Sequence, residues 1–406
     1  MYTLRNCVWE ITLACCFSCK HCGSGGGKAR SDELTREECL DLADQLADLG
    51  CQRVSLIGGE VFMRSDWDLI AERLIIKGVR TAIVTNGFQM AESLVSRIRE
   101  IGIESVAVSL DGMKDHHDQL RQPGSFARAE AAIVRLSQSG VPVSVITTLN
   151  HENVSDLEDM YAYLKRYPIA VWQIQACSPM GNAAKGGIDY RFDFRTVIDF
   201  VSAHARHAPF ALGVADNIGY FTEDEGSLRG NLSGAAVFQG YRAGIDAIGI
   251  DSVGNVKGCE ALYDDRFIEG NLRQRSLREI WEDPDAFAYN RKLTWEDLHG
   301  KCAECPDNWL CRGGCRSYNY FVHGDLYESP FCARNQRGMQ YDTLSESSLQ
   351  KFCNATLQKV LDKWEHPKRW KRPEPPPPRR TAARETEPSG GAGQRRAFCA
   401  CLNARR

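Results

Sequence analysis

Short apolar, β-branched runs recur along the first half of this chain, with helical patterns between them. Helices in such positions act as crossovers and make the runs neighbours in a parallel sheet. The sequence therefore predicts an α/β fold whose sheet can curl into an open barrel. The predicted strands are VWEITL at 8–13, RVSLIG at 53–58, TAIVT at 81–85, SVAVSL at 105–110, PVSVITTL at 142–149 and VWQIQA at 171–176.

The clearest predicted helix runs from Thr35 to Leu49. Thr35 and Glu38 are spaced as a capping box, leucines recur at helical spacing, and Gly50 follows as a stop signal. This segment is expected to be the first crossover helix.

Three cysteines follow the first predicted strand in the stretch ITLACCFSCKHC. Cys15, Cys19 and Cys22 have the spacing CxxxCxxC. A structural zinc normally takes four protein ligands, whereas three thiolates leave one position open for a small molecule. The spacing therefore favours a metal site that performs chemistry.

Other candidate functional residues follow the next three predicted strands. Gly58-Gly59-Glu60 follows the second, Thr85-Asn86-Gly87 the third, and Asp111-Gly112 the fourth. Ligands of parallel α/β sheets bind at the carboxyl ends of the strands. We therefore expect these residues and the cysteines to share one rim of the barrel.

Composition excludes several classes of protein. The 406 residues contain 17 cysteines, and clustered cysteines in a reducing compartment bind metal more often than they form disulfides. The net charge is −3, but residues 366–406 carry 11 Lys/Arg against 3 Asp/Glu, so the rest is acidic and unsuited to nucleic acid. No signal peptide or membrane span is evident, which predicts a cytoplasmic protein without a membrane partner.

The βα rhythm breaks near residue 226, where the sequence becomes rich in glycine and cysteine. AIGIDSVGNVKGC predicts a hairpin, and CAECPDNWLCRGGC adds a second cysteine cluster. We expect a barrel over residues 1–225, a loop-rich metal-bound domain over 226–345, and a helix over 346–365. The Pro-rich, basic tail over 366–406 is expected to be disordered.

Together these motifs resemble radical S-adenosylmethionine (SAM) enzymes with a C-terminal SPASM extension. The resemblance covers roughly residues 4–335 and rests on the CxxxCxxC, the GGE at 58–60, and the S-x-D-G formed by Ser109, Asp111 and Gly112. It implies a partial (β/α)6 TIM-like barrel, then a small loop-rich iron-sulfur SPASM domain and a disordered tail.

The resemblance also implies the chemistry. A [4Fe-4S] cluster on Cys15, Cys19 and Cys22 would bind SAM at its open iron and reduce it. The resulting 5′-deoxyadenosyl radical would abstract hydrogen from a substrate carbon, so the protein need only hold SAM and exclude competing hydrogen donors.

The residues implied in SAM binding follow the same motifs. The backbone of Gly58, Gly59 and Glu60 would orient the SAM amino group, and Asp111 belongs to the matched strand end. Ser109 and Arg121 would make polar contacts, since a guanidinium can grip a carboxylate with two hydrogen bonds. The last implied residue, which would pack near the adenine, is His21.

The second cysteine region resembles the SPASM pattern of ligands for auxiliary iron-sulfur clusters. The distal cluster would have four thiolates, from Cys302, Cys305, Cys311 and Cys332. A second auxiliary cluster would use Cys259, which follows Gly254 in a Gly-x4-Cys, and Cys315.

The family places a further cysteine where this chain has Tyr241. Three possibilities remain open: the second auxiliary cluster has an open or unusual ligand, a cysteine such as Cys177 or Cys353 reaches in, or the cluster is absent. An open iron would be a candidate substrate anchor.

Glu260 matches the position of a proton-accepting aspartate in sulfatase-maturing relatives, which makes it a candidate catalytic base. The ordinary alternative is an exposed acidic residue after a turn.

Simpler explanations also exist for several of these cysteines and histidines. A structural zinc could use the N-terminal cysteines with His21 or Cys16, or the cysteines of 302–332. His116 and His117 are better explained by a polar helix start than by metal binding. For Cys399 and Cys401 two alternatives remain open, namely cysteines without a role and a reactive pair.

The family prior favours a maturase of a ribosomally made peptide. The expected partners are a precursor peptide and a reductant, with either a separate peptide-recognition protein or direct binding of the peptide leader by the enzyme. The alternatives are radical oxidation of a small molecule, such as a haem precursor or sugar, and a non-catalytic iron-sulfur electron carrier. The SAM-binding motifs argue against the carrier.

Overall fold

One mixed sheet organises the protein. The computed structural model describes residues 2–185, 187–219, 223–233, 238–329 and 332–333. Within them, ten strands follow the order β10-β9-β8-β1-β2-β3-β4-β5-β6-β7. The strands are β1 (Asn6–Thr12), β2 (Arg53–Gly58), β3 (Arg80–Thr85), β4 (Ser105–Ser109), β5 (Val143–Leu149), β6 (Val171–Ala176), β7 (Ala211–Val214), β8 (Ala247–Ile250), β9 (Asn255–Lys257) and β10 (Ile268–Asn271).

Helices connect the strands and cover one face of the sheet. They are α1 (Arg36–Asp48), α2 (Trp67–Ile76), α3 (Glu92–Ile101), α4 (Lys114–Leu120), α5 (Ser125–Gln138), α6 (Leu157–Leu164), α7 (Phe194–His204), α8 (Glu225–Ser233), α9 (Leu277–Glu282), α10 (Ala288–Arg291), α11 (Gly300–Ala303), α12 (Asn308–Cys311) and α13 (Arg316–His323). The capping box of Thr35 and Glu38 at α1 is confirmed, because each side chain bonds the other's backbone N–H. No helix in the described ranges is long and apolar enough to cross a bilayer.

Alternation along the strands separates a core face from an inner face. Val106 and Val108 of β4 are fully buried, whereas Ala107 and Ser109 between and after them are half-buried. The same period-two pattern occurs on β2, β5 and β6. The buried set packs with the helices, and the half-buried set lines the inner face of the partial barrel.

All six predicted strands are confirmed, but the sheet is larger than the sequence indicated. β7 adds to β6, and β8 pairs in parallel with β1 on the opposite side. The predicted hairpin is β8 with β9, and it continues the barrel sheet. Side chains of the later region, such as Phe287 and Tyr318, belong to the same buried core as the barrel residues.

Some predictions fall outside the described residues. They concern the helix over 346–365, the tail over 366–406, and Cys353, Cys399 and Cys401. The structure therefore leaves them as predictions.

Glycines let β1 and β2 approach closely at their carboxyl ends. Gly59 donates its N–H to the Thr12 carbonyl at 2.8 Å, and a Cβ on Gly59 would collide with the carbonyl oxygens of Leu13 and Ala14. A Cβ on Gly58 would lie 2.5 Å from the Thr12 oxygen. The two glycines are therefore required by contact with the backbone.

The turn after β4 is built around Asp111. Its backbone N–H donates to Nδ1 of His117 on α4 at 3.0 Å, and its carbonyl accepts from Asn153 at 2.7 Å. His117 is fully buried, and burial lowers its pKa to about 4. His116 instead bonds Asp156 at 2.8 Å, so both histidines have structural partners.

We predict that Gly59→Ala destabilises the protein by about 1–3 kcal/mol, because the added methyl group must displace backbone carbonyls. The melting temperature of the anaerobically reconstituted protein measures this. Gly27→Ala is the matched control, since nothing lies within 4 Å of a Cβ on Gly27 in the same region. Equal melting temperatures for the two variants would contradict the prediction.

Burial of His117 predicts a loss of stability at acidic pH. An unfolded histidine has a pKa of about 6.5, so between pH 6.5 and 4 the unfolded chain takes up a proton that folded His117 resists. The loss grows as the pH falls and reaches about 3 kcal/mol near pH 4.

His117→Asn keeps an acceptor for the Asp111 N–H without a titrating ring. Its melting temperature should fall less than that of the wild type between pH 7 and 4.5. His207→Asn, at an exposed histidine away from Asp111, is the control. A wild-type slope in His117→Asn would refute the assignment.

Candidate functional site

The three predicted cluster cysteines lie in one loop after β1. Backbone N–H groups point at two of their sulfur atoms: that of Phe17 lies 3.4 Å from Cys15 Sγ, and that of Gly26 lies 3.4 Å from Cys22 Sγ. Such donors stabilise negative charge on sulfur. The loop is therefore arranged to carry thiolates, as an iron-sulfur cluster requires.

The pKa values of the thiols differ because their surroundings differ. A hydrogen bond from Cys16 lowers the pKa of Cys15 to about 6, with smaller contributions from the Phe17 N–H and Arg121. Burial raises the pKa of Cys19 to about 11. Metal binding has to displace the proton of Cys19, whereas Cys15 is poised as a thiolate.

The loop after β6 closes over the cysteine loop. The Asn182 N–H donates to the Cys22 carbonyl at 2.8 Å, and its side-chain amide donates to the Cys19 carbonyl at 3.1 Å. Gly181 approaches the Cys22 carbonyl so closely that a Cβ would meet it at 2.5 Å. Sequence pattern alone does not reveal this contact, although Gly181 and Asn182 follow a predicted strand at the same rim.

Glu60 joins the end of β2 to the end of β3. Its buried carboxylate accepts from the Thr85 hydroxyl at 2.8 Å and from the Asn86 N–H at 2.7 Å. Burial raises its pKa to about 7. The Asn86 side-chain amide also donates to the sulfurs of Cys15 and Cys16 at 3.8 and 3.7 Å, a contact between distant residues that sequence pattern does not reveal.

The Asp111 carboxylate connects three parts of the site. One oxygen accepts from His21 Nε2 at 2.8 Å and from Arg121 Nε at 2.6 Å, and the other accepts from the Thr148 N–H at 2.8 Å. Burial opposes its ionisation, but Arg121 and His21 outweigh burial and lower its pKa. Asp111 is thus engaged by protein groups, and its predicted contact with SAM stays a prediction.

Arg121 lies between Asp111 and the cysteine loop. Burial alone would lower its pKa, but the charges of Asp111, Cys19 and Cys22 raise it. Ser109 is half-buried at the end of β4 on the inner face. The structure therefore brings the four predicted strand-end motifs to one rim.

A single zinc ion at 2.3 Å from four thiolates holds them about 3.8 Å apart. Among the described residues, no three cysteine sulfurs lie within 4.8 Å of one another, so no such set is already assembled.

The predicted distal ligands gather in the later part of the chain. Burial is the main cause that raises the pKa of Cys311, and negative charge on Cys332, Cys302 and Cys305 would raise it further. The four thiols are therefore neighbours. The Ser329 N–H donates to Cys302 Sγ at 3.3 Å. This donor set of four thiols fits a cluster with one protein ligand per iron.

The other predicted ligands, Cys259 and Cys315, lie beside each other and beside Tyr241. Glu260 is 4% exposed, so the alternative of an exposed acidic residue is wrong. Its carboxylate lies 3.3 Å from Lys257 Nζ, and burial raises its pKa to about 8.

Two family models match this chain. The radical SAM superfamily model matches residues 9–164, and the SPASM model, an iron-sulfur cluster-binding domain, matches residues 242–306. The first match spans the cysteine loop, the GGE and Asp111, and the second includes Cys259 and Cys302.

Curated relatives and solved structures agree with these matches. AdoMet-dependent heme synthase of Methanosarcina barkeri is 29% identical, with 81% of this chain and 96% of the relative covered. Mycofactocin maturase MftC of Mycolicibacterium smegmatis is 30% identical, with 78% and 79% covered.

The fold is shared with Streptococcus suis SuiB bound to S-adenosylmethionine, with a TM-score of 0.65, 17% identity, and 81% of this chain and 77% of SuiB covered. It is also shared with anSMEcpe bound to AdoMet, with a TM-score of 0.64, 16% identity, and 89% and 99% covered. These comparisons confirm the partial barrel and the iron-sulfur and SAM cofactors. The chain belongs to the radical SAM superfamily, in the group that carries a SPASM iron-sulfur domain.

Proposed function

We propose that this enzyme modifies a residue of a ribosomally made precursor peptide. The cluster bound by Cys15, Cys19 and Cys22 would supply the electron that cleaves SAM to a 5′-deoxyadenosyl radical. Arg121 would hold the SAM carboxylate, Ser109 would add a polar contact, and the backbone at Gly58 and Gly59 would orient the amino group. The electron has to come from an external reductant.

The side chains on the inner face of the barrel indicate which class of substrate fits. The eight parallel strands contain two basic residues, Arg53 and Arg80, each at the first position of its strand and each bound to Glu104. The half-buried positions near the carboxyl ends are uncharged, with Ser109, Thr148, Gln173 and Gln175 among them.

This polarity favours a peptide over a porphyrin. Haem-type porphyrins carry ionised carboxylates, and burying them requires paired cations. The cations near β1 and β9 are already committed, since Arg30 binds Glu10 and Lys257 binds Glu260. Hydroxyl and amide side chains instead suit the backbone groups of a peptide. Similarity to MftC, which is named a maturase, also supports a peptide substrate. Similarity to the heme synthase supports the alternative of a haem precursor.

Glu260 is proposed as the group that accepts a proton from the substrate. Its backbone packs on Gly249 of β8, whose neighbour across the sheet is Val8 of β1 on the inner face. This backbone contact near the barrel interior supports a role for Glu260 as a proton acceptor. A separate peptide-recognition protein would deliver the substrate or the enzyme would bind the leader directly.

The first test measures 5′-deoxyadenosine formed from SAM by the reconstituted protein with dithionite. We expect formation that rises when a candidate precursor peptide is added, with a mass change in the peptide. The variant with Cys15, Cys19 and Cys22 all changed to Ala should form none.

Iron-coproporphyrin III serves as the competing substrate. Stimulation by the porphyrin, with decarboxylated product and no peptide change, would replace the proposal by the haem-precursor alternative. A fully iron-loaded protein that neither binds nor cleaves SAM would favour the electron carrier.

Arg121→Lys should weaken SAM binding by roughly 10- to 100-fold, because lysine keeps the charge but loses the two-pronged hydrogen bond. Equilibrium dialysis of the anaerobic protein with labelled SAM measures the dissociation constant. Arg135→Lys, on α5 and bound to the Met90 carbonyl, should bind SAM as the wild type does. An unchanged constant in Arg121→Lys at full iron content would remove this residue from the SAM site.

A further inference from the structure

Two phenols stand next to the thiols that the family pattern assigns to a second auxiliary cluster. The phenol-thiol site consists of Cys259, Cys315, Tyr241 and Tyr289. Cys259, Cys315 and Tyr289 all lie close enough to Tyr241 to raise the pKa of its buried phenol. The site lies in the same buried core as the barrel.

Tyr241 is held in place by its backbone. The side-chain amide of Asn290 donates to the carbonyls of Tyr241 and Ala243, both at 2.8 Å. Tyr241 is 6% exposed, and its hydroxyl lies beside the Cys259 thiol without a hydrogen bond of good geometry. The phenol therefore points into the space next to the thiols.

Tyr289 closes the same space from another side. Its hydroxyl packs directly on the backbone of Gly258, where a Cβ would collide with it. The hydroxyl is also buried without a hydrogen-bond partner. Its ring stacks edge-on against Phe267 at 5.5 Å, which fixes its direction.

The number of donors differs from that of the distal site. A closed four-iron cluster takes one thiolate per iron, whereas the SAM-binding cluster leaves one iron open, and the distal site offers four thiols. Among the cysteines that the structure describes at this site, Cys259 and Cys315 leave two irons of a second auxiliary cluster without thiolates. The thiol of Cys177 is directed at the Ser178 carbonyl at 3.8 Å, and Cys353 lies outside the described residues.

We propose that this protein holds two [4Fe-4S] clusters, one on the N-terminal cysteines and one on the distal four. The phenols of Tyr241 and Tyr289 fill the position of the second auxiliary cluster. The inference rests on the ligand sets proposed above but not on the identity of the substrate. It removes the open auxiliary iron from the candidate substrate anchors.

Counting iron and sulfide per chain tests the proposal. After anaerobic reconstitution and gel filtration, the wild type should contain about 8 irons and about 8 sulfides, four of each per cluster. Cys259→Ala and Cys315→Ser should keep that count and an unchanged Mössbauer spectrum. Cys305→Ala should lose up to about 4 irons, which shows that the assay detects the loss of one cluster.

A wild-type count near 12 would overturn the proposal, and so would a loss of about 4 irons in either Cys259→Ala or Cys315→Ser. Retention of all iron in Cys305→Ala would overturn the assignment of the second cluster to the distal site. Tyr241→Phe retains the fold and should keep 8 irons, whereas its loss of iron would reveal a phenolate ligand. These counts do not depend on turnover, so an inactive protein with 8 irons would refute the proposed function and leave this inference standing.

Discussion

The Asp111 carboxylate is the interaction on which the candidate site depends. It binds His21 from the cysteine loop, Arg121 from the end of α4 and the backbone of β5. A fully buried carboxylate is tolerated only when its charge is compensated by such partners. These contacts therefore allow Asp111 to stay ionised. Burial of one charge thus sets the relative positions of the loop for the cluster and the arginine proposed for SAM.

Close contacts between backbone segments also hold the candidate site together. Gly59 lets β2 approach the end of β1, and Gly181 lets the loop after β6 lie on the cysteine loop. Glu60 ties the second strand to the third, and Asn86 carries that connection to sulfur. The cysteines are therefore held from several strand ends, as a site that must keep one iron open requires.

The later region contains two sets of cysteines, which differ in the number of thiols available to bind a cluster. Cys302, Cys305, Cys311 and Cys332 form a complete set of four, whereas Cys259 and Cys315 share their space with phenols. Both groups lie in a region whose hairpin extends the barrel sheet. The SPASM region is thus joined to the barrel sheet by strand pairing.

The sequence by itself determined the six barrel strands, the capped first helix, the order of the motifs and the family, because strand period, capping and cysteine spacing are local properties. It also indicated that the strand-end motifs share a rim, since parallel strands leave no other arrangement. Only the tertiary structure decided that β8 joins β1, that Glu260 is buried, that Asn86 and Asn182 support the cysteines, and that Asp111 is satisfied by His21 and Arg121. These outcomes depend on contacts between residues far apart in the chain, where burial and distance, rather than local pattern, determine the partners.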